Sequence, residues 1–387
     1  MTSLLIFFVL VLIGIAIWQL TKIFDLTQVG SNSGDTEVAN DKDNSINGYL
    51  MFAFVGFIYI FTIYSLLKWG DLVLGTPASE HGADVDNLMA ISMYLIFFVQ
   101  TITQFLLPYF TFKYRGKQGQ KALYFADNNK LEAIWTIIPV IVLAGLILYG
   151  LYTWNNIMYY DDEEEVIYVE LYAKQFGWEV RYSGQDNTLG KANVRFIEGI
   201  NTLGGDLSDP AAQDDKVVNE LHLPKGKKIV FKMRSQDVLH SAYMPHFRAR
   251  MNCVPGMITQ FAFVPNMTTA EMREDEAIIA KVDKINKIRA KKSIDLVANG
   301  EEALEPYTFD YLLLCNKICG ASHYNMQMKI VVDTPEDFKT WLSEKPTLSS
   351  QWAEANTPAP APTPEVEVTE PIEVVIDTTK VVAQIIK

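Results

Sequence analysis

The stretch CNKICGASHYNM, residues 315–326, indicates what kind of structure the second half of the chain forms. It brings two thiols, an imidazole and a thioether together in one short segment, and copper and zinc prefer ligands of these kinds. The run MQMKIVV (326–332) at its end has the composition of a β-strand. We therefore expect a metal-binding loop between two strands.

Other short runs rich in β-branched and aromatic residues precede this stretch, and Gly, Pro, Asn and Asp separate them. This pattern predicts an all-β sandwich or barrel. The charged segment 269–292 predicts a surface helix, and TPEDFKTWLSE (334–344) predicts a short helix with Thr334 as N-cap. The preceding runs are VIYVELYA (166–173), KIVFKMR (228–234) and ITQFAFV (258–264).

The first half of the chain has a different character. The chain has 387 residues, of which 49% are hydrophobic, yet its formal charge is −13, which is explained if the apolar residues are segregated into membrane spans. Four apolar runs each approach the ~20 residues that a helix needs to cross a bilayer. Four successive runs argue against buried core helices. The predicted spans are 4–20, 49–67, 90–112 and 134–154.

The first run could instead be a cleaved signal peptide, but no Lys or Arg precedes it and no small-residue cleavage site follows it, which favours a retained span. The loop after the third run carries five Lys or Arg residues, so we expect loops 21–48 and 113–133 in the cytoplasm and everything beyond Trp154 outside. Only Lys68 does not fit this orientation, because it lies at the outer end of the second span.

The metal ligands can be narrowed further. Cys319, His323 and Met326 suit a copper ion, with the thioether as a weak ligand, and such a site needs one more histidine. Of the five histidines, His240 in DVLHSAYMP is the best placed, because it follows a predicted strand. His81 lies in a loop of the membrane half, and His222 and His246 have no partner pattern.

Cys315 is surplus to a site for one copper. A second thiolate four residues before Cys319 lets two sulfurs bridge two coppers, an arrangement suited to electron transfer. Two alternatives remain: the two cysteines form a buried free pair or a disulfide, or they belong to a closed Cys2His2 zinc site, which leaves Met326 idle. Three cysteines in all argue against a disulfide framework.

The spacing Cys315-x3-Cys319-x3-His323-x2-Met326, with DVLHS upstream, closely resembles subunit II of the haem–copper cytochrome c oxidases and its binuclear copper centre, CuA. Two further segments resemble the same family: NELHLPKGKKIVFKMRSQDVLHSAYMPHFRARMNCVPG (219–256) and LEAIWTIIP (131–139). The resemblance covers roughly residues 90–345.

The resemblance implies a membrane α-helical N-terminal anchor followed by an all-β, cupredoxin-like sandwich as the outer domain. We expect the transmembrane region at 1–155, the CuA domain at 156–348 with a helical insertion near 269–305, and a flexible Pro/Ala/Glu-rich tail at 349–387. Two copper ions are the implied cofactors. Their implied ligands are His240, Cys315, the backbone carbonyl of Lys317, Cys319, His323 and Met326.

The implied function is that of the electron-transfer subunit of a terminal oxidase. It takes electrons from a c-type cytochrome and passes them to haem in subunit I, where oxygen is reduced and protons are translocated; this chain supplies no catalytic residue itself. The implied location is a bacterial inner membrane, with the copper domain on the periplasmic side. We expect subunit I, other membrane subunits, the cytochrome and lipid as partners, and no nucleic acid.

The sequence departs from the family pattern at several positions. Lys317 stands where a glutamate usually helps to hold an interfacial magnesium ion, which speaks against that ion here. In AKQFGWEVRY (173–182), where electrons enter, Phe176 stands where tryptophan is common and Trp178 matches the next tryptophan. Glu132 is a candidate for the proton path or, equally, an interfacial anchor.

Three rival functions fit the sequence less well. The quinol-oxidase version of the subunit normally lacks the copper ligands. A membrane-tethered copper chaperone would not need Met326, and the copper domain of a nitrogen-oxide reductase would not need LEAIWTIIP. The absence of a C-x-x-C-H motif excludes a fused cytochrome c domain.

Overall fold

A computed structural model of the protein describes residues 2–29, 40–70, 73–159 and 166–356. Each predicted span lies within one long helix, and all four helices are long and apolar enough to cross a membrane. The helices extend beyond the apolar runs where polar residues cap them: Asn40 accepts from Asp43 N, and Asn128 from Leu131 N. The four are Thr2–Val29 (α1), Asp41–Trp69 (α2), Gly82–Lys113 (α3) and Asn129–Met158 (α4).

The outer domain consists of two five-stranded sheets packed face to face, which confirms the predicted sandwich. The first sheet has the order β3-β2-β1-β5-β8 and the second β4-β10-β9-β6-β7. Neighbouring strands are antiparallel except in the pairs β1–β5 and β10–β4. The strands are Val166–Lys174 (β1), Gly177–Tyr182 (β2), Lys216–Val218 (β3), Leu221–Pro224 (β4), Lys228–Ser235 (β5), His240–Met244 (β6), Ala249–Cys253 (β7), Thr259–Phe263 (β8), Tyr311–Cys315 (β9) and Gln327–Asp333 (β10).

Successive side chains of a strand point to opposite faces of its sheet, and the inward-pointing ones fill the space between the two sheets. Leu171 of β1, Phe231 of β5 and Leu313 of β9 are fully buried in one core. Tyr182 Oη also joins the sheets, because it donates a 2.8 Å hydrogen bond to the carbonyl of His222. The opposite face of the first sheet carries a buried ion-pair cluster around Glu170.

The connection between α2 and α3 is more than a membrane loop, contrary to the expectation for His81. Ala78 N donates to the carbonyl of His246 at 2.7 Å, and the His81 ring packs against Phe261 and Phe263 of β8. Buried backbone groups of the loop therefore find partners in the sandwich. The contact puts this loop and the outer domain on the same side of the helices, as the Lys and Arg distribution predicts.

The insertion after β8 contains two helices where the sequence predicted one. Thr269–Arg273 (α6) begins with a capping box between Thr268 and Glu271. Asp275 then caps Glu276–Ala298 (α7) and accepts a 3.0 Å hydrogen bond from Thr76 Oγ1 of the α2–α3 loop. The insertion is thus fixed at its base to the membrane half.

The C-terminal end of the described chain is helical. Pro335–Glu344 (α8) has Thr334 as its N-cap, as predicted. Leu348–Asn356 (α9) packs against the short helix Pro210–Gln213 (α5). The prediction that a flexible tail begins at residue 349 is wrong for 349–356, because these residues continue helix α9, and Ser349 and Gln351 attach it to the sandwich by hydrogen bonds. Residues 357–387 lie outside the described part of the chain.

Candidate metal site

Two strands of the second sheet and one loop assemble the site. His240 begins β6 and Cys315 ends the neighbouring β9, so the sheet register brings them together. The loop 316–326 is closed by a 3.0 Å hydrogen bond from Cys315 N to the carbonyl of Met326. The one-turn helix His323–Asn325 then directs His323 back towards the strands.

The donor atoms of the side chains converge. The sulfurs of Cys315 and Cys319 lie 3.9 Å apart. His240 Nδ1 lies 3.7 Å from the Cys315 sulfur, and His323 Nδ1 lies 3.6 Å from the Cys319 sulfur. Each imidazole therefore contacts a different thiol, with the two sulfurs between them.

Two weaker donors complete the arrangement. The backbone oxygen of Lys317 lies 3.2 Å from the Cys315 sulfur, and Met326 Sδ lies 3.8 Å from the Cys319 sulfur. The structure thus brings together all six predicted ligand positions. The arrangement offers each end of the sulfur pair one imidazole and one neutral oxygen or sulfur atom.

The donor set fits a metal centre better than a disulfide. Ligands bound to one tetrahedral ion at ~2.0–2.3 Å lie about 3.5 Å apart, close to the observed nitrogen–sulfur distances. All three cysteines are free thiols, so the pair does not form a disulfide. His240, Cys315 and Cys319 have ligand atoms within 4.8 Å of one another. Soft sulfur and imidazole donors of this kind suit copper.

Asp237 orients His240 and was missed by the sequence reasoning. Its Oδ1 lies 2.8 Å from His240 Nε2, which leaves Nδ1 directed at the sulfurs. Burial would raise the pKa of Asp237, but hydrogen bonds from His240 and from the backbone of Gln175 and Val238 hold that pKa below its usual value. The sequence contains one indication of this role, because Asp237 lies three residues before His240 in DVLHS.

The thiols are shielded from solvent to different degrees. Burial, with the neighbouring Cys315, raises the pKa of the Cys319 thiol to about 11. Burial also raises the pKa of Cys253 to about 12. Cys253 pairs with His240 across β6 and β7 but is not part of the His240–Cys315–Cys319 group.

The aromatic residues at 176 and 178 lie beside the site. The buried Trp178 ring lies edge-on to the His240 ring, with centroids 6.4 Å apart. Phe176 is 39% exposed and covers Gly320 of the metal loop. Gln175, which the sequence reasoning also missed, donates its side-chain amide to the carbonyl of Cys319.

The remaining candidate residues lie elsewhere. Glu132 is exposed in the first turn of α4. His222 stacks on Trp341, and its Nδ1 lies 2.6 Å from Asp333. His246 packs against Phe309.

Comparison with known proteins identifies relatives for both halves of the chain. Residues 67–153 match the family "Cytochrome C oxidase subunit II, transmembrane domain". Residues 168–271 match the family "Cytochrome C oxidase subunit II, periplasmic domain".

Individual relatives cover most of the chain. The alternative cytochrome c oxidase subunit 2 of Bradyrhizobium diazoefficiens is 30% identical over 292 residues, which are 75% of this chain and 88% of the relative. Cytochrome c oxidase subunit 2 of Thermostichus vulcanus is 22% identical over 72% of this chain and 80% of its own. Among solved structures, the periplasmic domain of subunit II of cytochrome oxidase from Bradyrhizobium japonicum overlaps 46% of this chain and 91% of its own, at 16% identity and a TM-score of 0.26.

Proposed function

Because the chain belongs to the cytochrome c oxidase subunit II family, we propose that its outer domain holds two copper ions and passes electrons from a c-type cytochrome to haem in subunit I of a terminal oxidase. The main support for this proposal is that two thiols, each in contact with a different imidazole, lie 3.9 Å apart. A bound binuclear copper centre supplies reversible one-electron transfer.

The residues of the chain hold this site rigid. Asp237 fixes the orientation of His240, and Gln175 links the metal loop to β1 and β2 through the carbonyl of Cys319. The pairing of β6 with β9 places His240 and Cys315 on neighbouring strands of one sheet. A preorganised site of this kind limits the movement of ligands that electron transfer would otherwise require.

We assign the arrival of electrons to the surface formed by Phe176, with Trp178 behind it. Phe176 is partly exposed and lies on the metal loop, whereas Trp178 is buried against His240. A donor docked on Phe176 is therefore separated from the ligands by one layer of side chains. Residues 161–220 hold 14 Asp or Glu against 5 Lys or Arg, a net of −9, which would steer a cationic donor.

We assign the outer rim of the metal loop to contact with subunit I. Ile318 and Tyr324 are 85% and 87% exposed, and apolar side chains exposed beside a functional site are typical of a protein interface. Lys317, next to Ile318, is also exposed, and its ammonium group cannot replace a magnesium-binding carboxylate. We therefore do not assign a magnesium ion to this position.

The membrane half carries the remaining parts of the proposal. The family match and the four apolar helices describe a membrane protein with a periplasmic domain. We propose that the membrane is a bacterial inner membrane. In that orientation Glu132 lies at the cytoplasmic end of α4, where it is a candidate for the start of a proton path into subunit I.

The test is reduction of the purified oxidase complex by ferrocytochrome c in a stopped-flow instrument. Cys319→Ser should abolish rapid oxidation of the cytochrome, whereas the matched variant Cys253→Ser should leave it unchanged, because Cys253 is a buried thiol outside the donor set. Equal rates in wild type and Cys319→Ser would contradict the proposal. Ready loss of copper to a chelator would favour a copper chaperone.

A further inference from the structure

Helix α7 carries an exposed row of lysines that the copper site does not use. Lys281, Lys284, Lys291 and Lys292 are exposed, and their spacing places them along one side of the helix around Ile288. We call these four residues the lysine stripe. It lies beyond residue 271, where the match to the periplasmic-domain family ends.

The stripe has no acidic partners in the described part of the chain. The remaining lysine of α7, Lys287, does form an ion pair: its Nζ lies 2.6 Å from a carboxylate oxygen of Asp283. Ile288, in the middle of the stripe, is 63% exposed. Asp295 lies on the same side of the helix, one turn after Lys291. The four lysines still outnumber it and form a locally basic surface on a chain of net charge −13, and such a surface attracts an acidic partner.

The C-terminal tail has the matching composition. Within 365–377 it contains five acids and no Lys or Arg: Glu365, Glu367, Glu370, Glu373 and Asp377. The stripe extends over about 17 Å at 1.5 Å per helical residue. In an extended chain, Glu365–Glu370 also covers about 17 Å.

The tail starts from a fixed point on the same domain. Ser349 of α9 donates to the carbonyl of Gln213, and Gln351 donates to the carbonyl of Val217. The following segment TPAPAPTP (357–364) is a proline-rich spacer, for which about 3.1 Å per residue predicts a reach of about 25 Å. Because the spacer joins the acids to the same domain, their docking on the stripe would be intramolecular.

The geometry favours this occupant over an anionic lipid surface. Gly82 begins α3 eight residues before the apolar run at Ala90, so about 12 Å of helix stands outside that run. The base of α7 contacts Thr76, which precedes this part of α3. Attraction to lipid headgroups falls off within a Debye length of about 8–10 Å.

We propose that the acidic segment 365–370 of the tail docks on the lysine stripe of α7 in the same chain. The test is carbodiimide cross-linking of the purified oxidase complex, which joins lysines only to carboxylates in contact, followed by peptide mass spectrometry. We expect cross-links between the stripe and Glu365, Glu367 or Glu370 that are lost at high salt.

Charge variants make the test specific. Lys284→Glu with Lys291→Glu should reduce these cross-links at least tenfold, and adding Glu367→Lys with Glu370→Lys should restore them. Lys339→Glu, an exposed lysine of α8, should have no effect. Wild-type cross-links from the stripe only to another subunit, or only stripe-dependent binding to phosphatidylglycerol vesicles, would overturn the proposal.

Discussion

Asp237 Oδ1 lies 2.8 Å from His240 Nε2, and on the other side of the same ring Nδ1 lies 3.7 Å from the Cys315 sulfur. The carboxylate therefore determines which ring nitrogen of His240 is directed at the metal site. Outer contacts of this kind fix both the tautomer and the orientation of a ligand.

Asp237→Ala should weaken copper binding by about 10–100-fold, because the imidazole loses the contact that orients it. Asp237→Asn retains a hydrogen-bonding side chain and should have a smaller effect. Competition with a copper chelator measures both affinities. Equal affinities in wild type and Asp237→Ala would show that the strand register alone orients His240.

Gly320→Ala should displace Phe176 from the metal loop. Gly320 has a φ of +146°, and a Cβ built there would lie 2.8 Å from both Phe176 Cζ and Gln175 Nε2. We expect a loss of about 1–3 kcal/mol in local stability from this overpacking, together with slower reduction by cytochrome c. Hydrogen exchange in β1 and β2 measures the stability. Gly177→Ala is the control, because its Cβ would meet no atom within 4 Å.

Glu170→Gln should destabilise the first sheet. Glu170 is buried between Arg181 and Arg234, and removing one partner from a buried ion pair costs about 3–5 kcal/mol. Hydrogen exchange of β1 and β5 should show this loss. The exposed Glu220→Gln should cost about 1 kcal/mol or less, and a similar loss in both variants would contradict the assignment.

The same residue predicts a dependence on pH. Burial alone would raise the pKa of Glu170, but Arg181 and Arg234 lower it below the ordinary value of 4.5. Its stabilising contribution is therefore present above pH 4.5 and is lost as the pH falls through the lower folded pKa. Below pH 4.5 the wild type should lose protection in β1 and β5 more steeply than Glu170→Gln, as measured by hydrogen exchange.

The sequence predicts the parts of the protein that depend on local patterns. The apolar runs predict the four long helices, and the short runs rich in β-branched and aromatic residues predict β1, β5, β8 and β10. The spacing of Cys315, Cys319 and His323 within one loop predicts the core of the site, because neighbours in sequence are neighbours in space there.

The remaining features depend on contacts between distant segments. Gln175 reaches the carbonyl of Cys319 from 144 residues away, and Thr76 reaches Asp275 from 199 residues away. Neither residue carries a motif that predicts its partner. Likewise, α9 is held by bonds to α5 and β3 that its own polar sequence does not indicate.

An electron paramagnetic resonance spectrum of the copper-loaded, purified protein would show whether the site holds two coppers. We expect hyperfine splitting from one unpaired electron shared equally between two copper nuclei, because two thiolates, each beside one imidazole, would hold two coppers in similar surroundings. Splitting from a single copper nucleus would contradict the account, since Cys315 would then not be a bridging ligand.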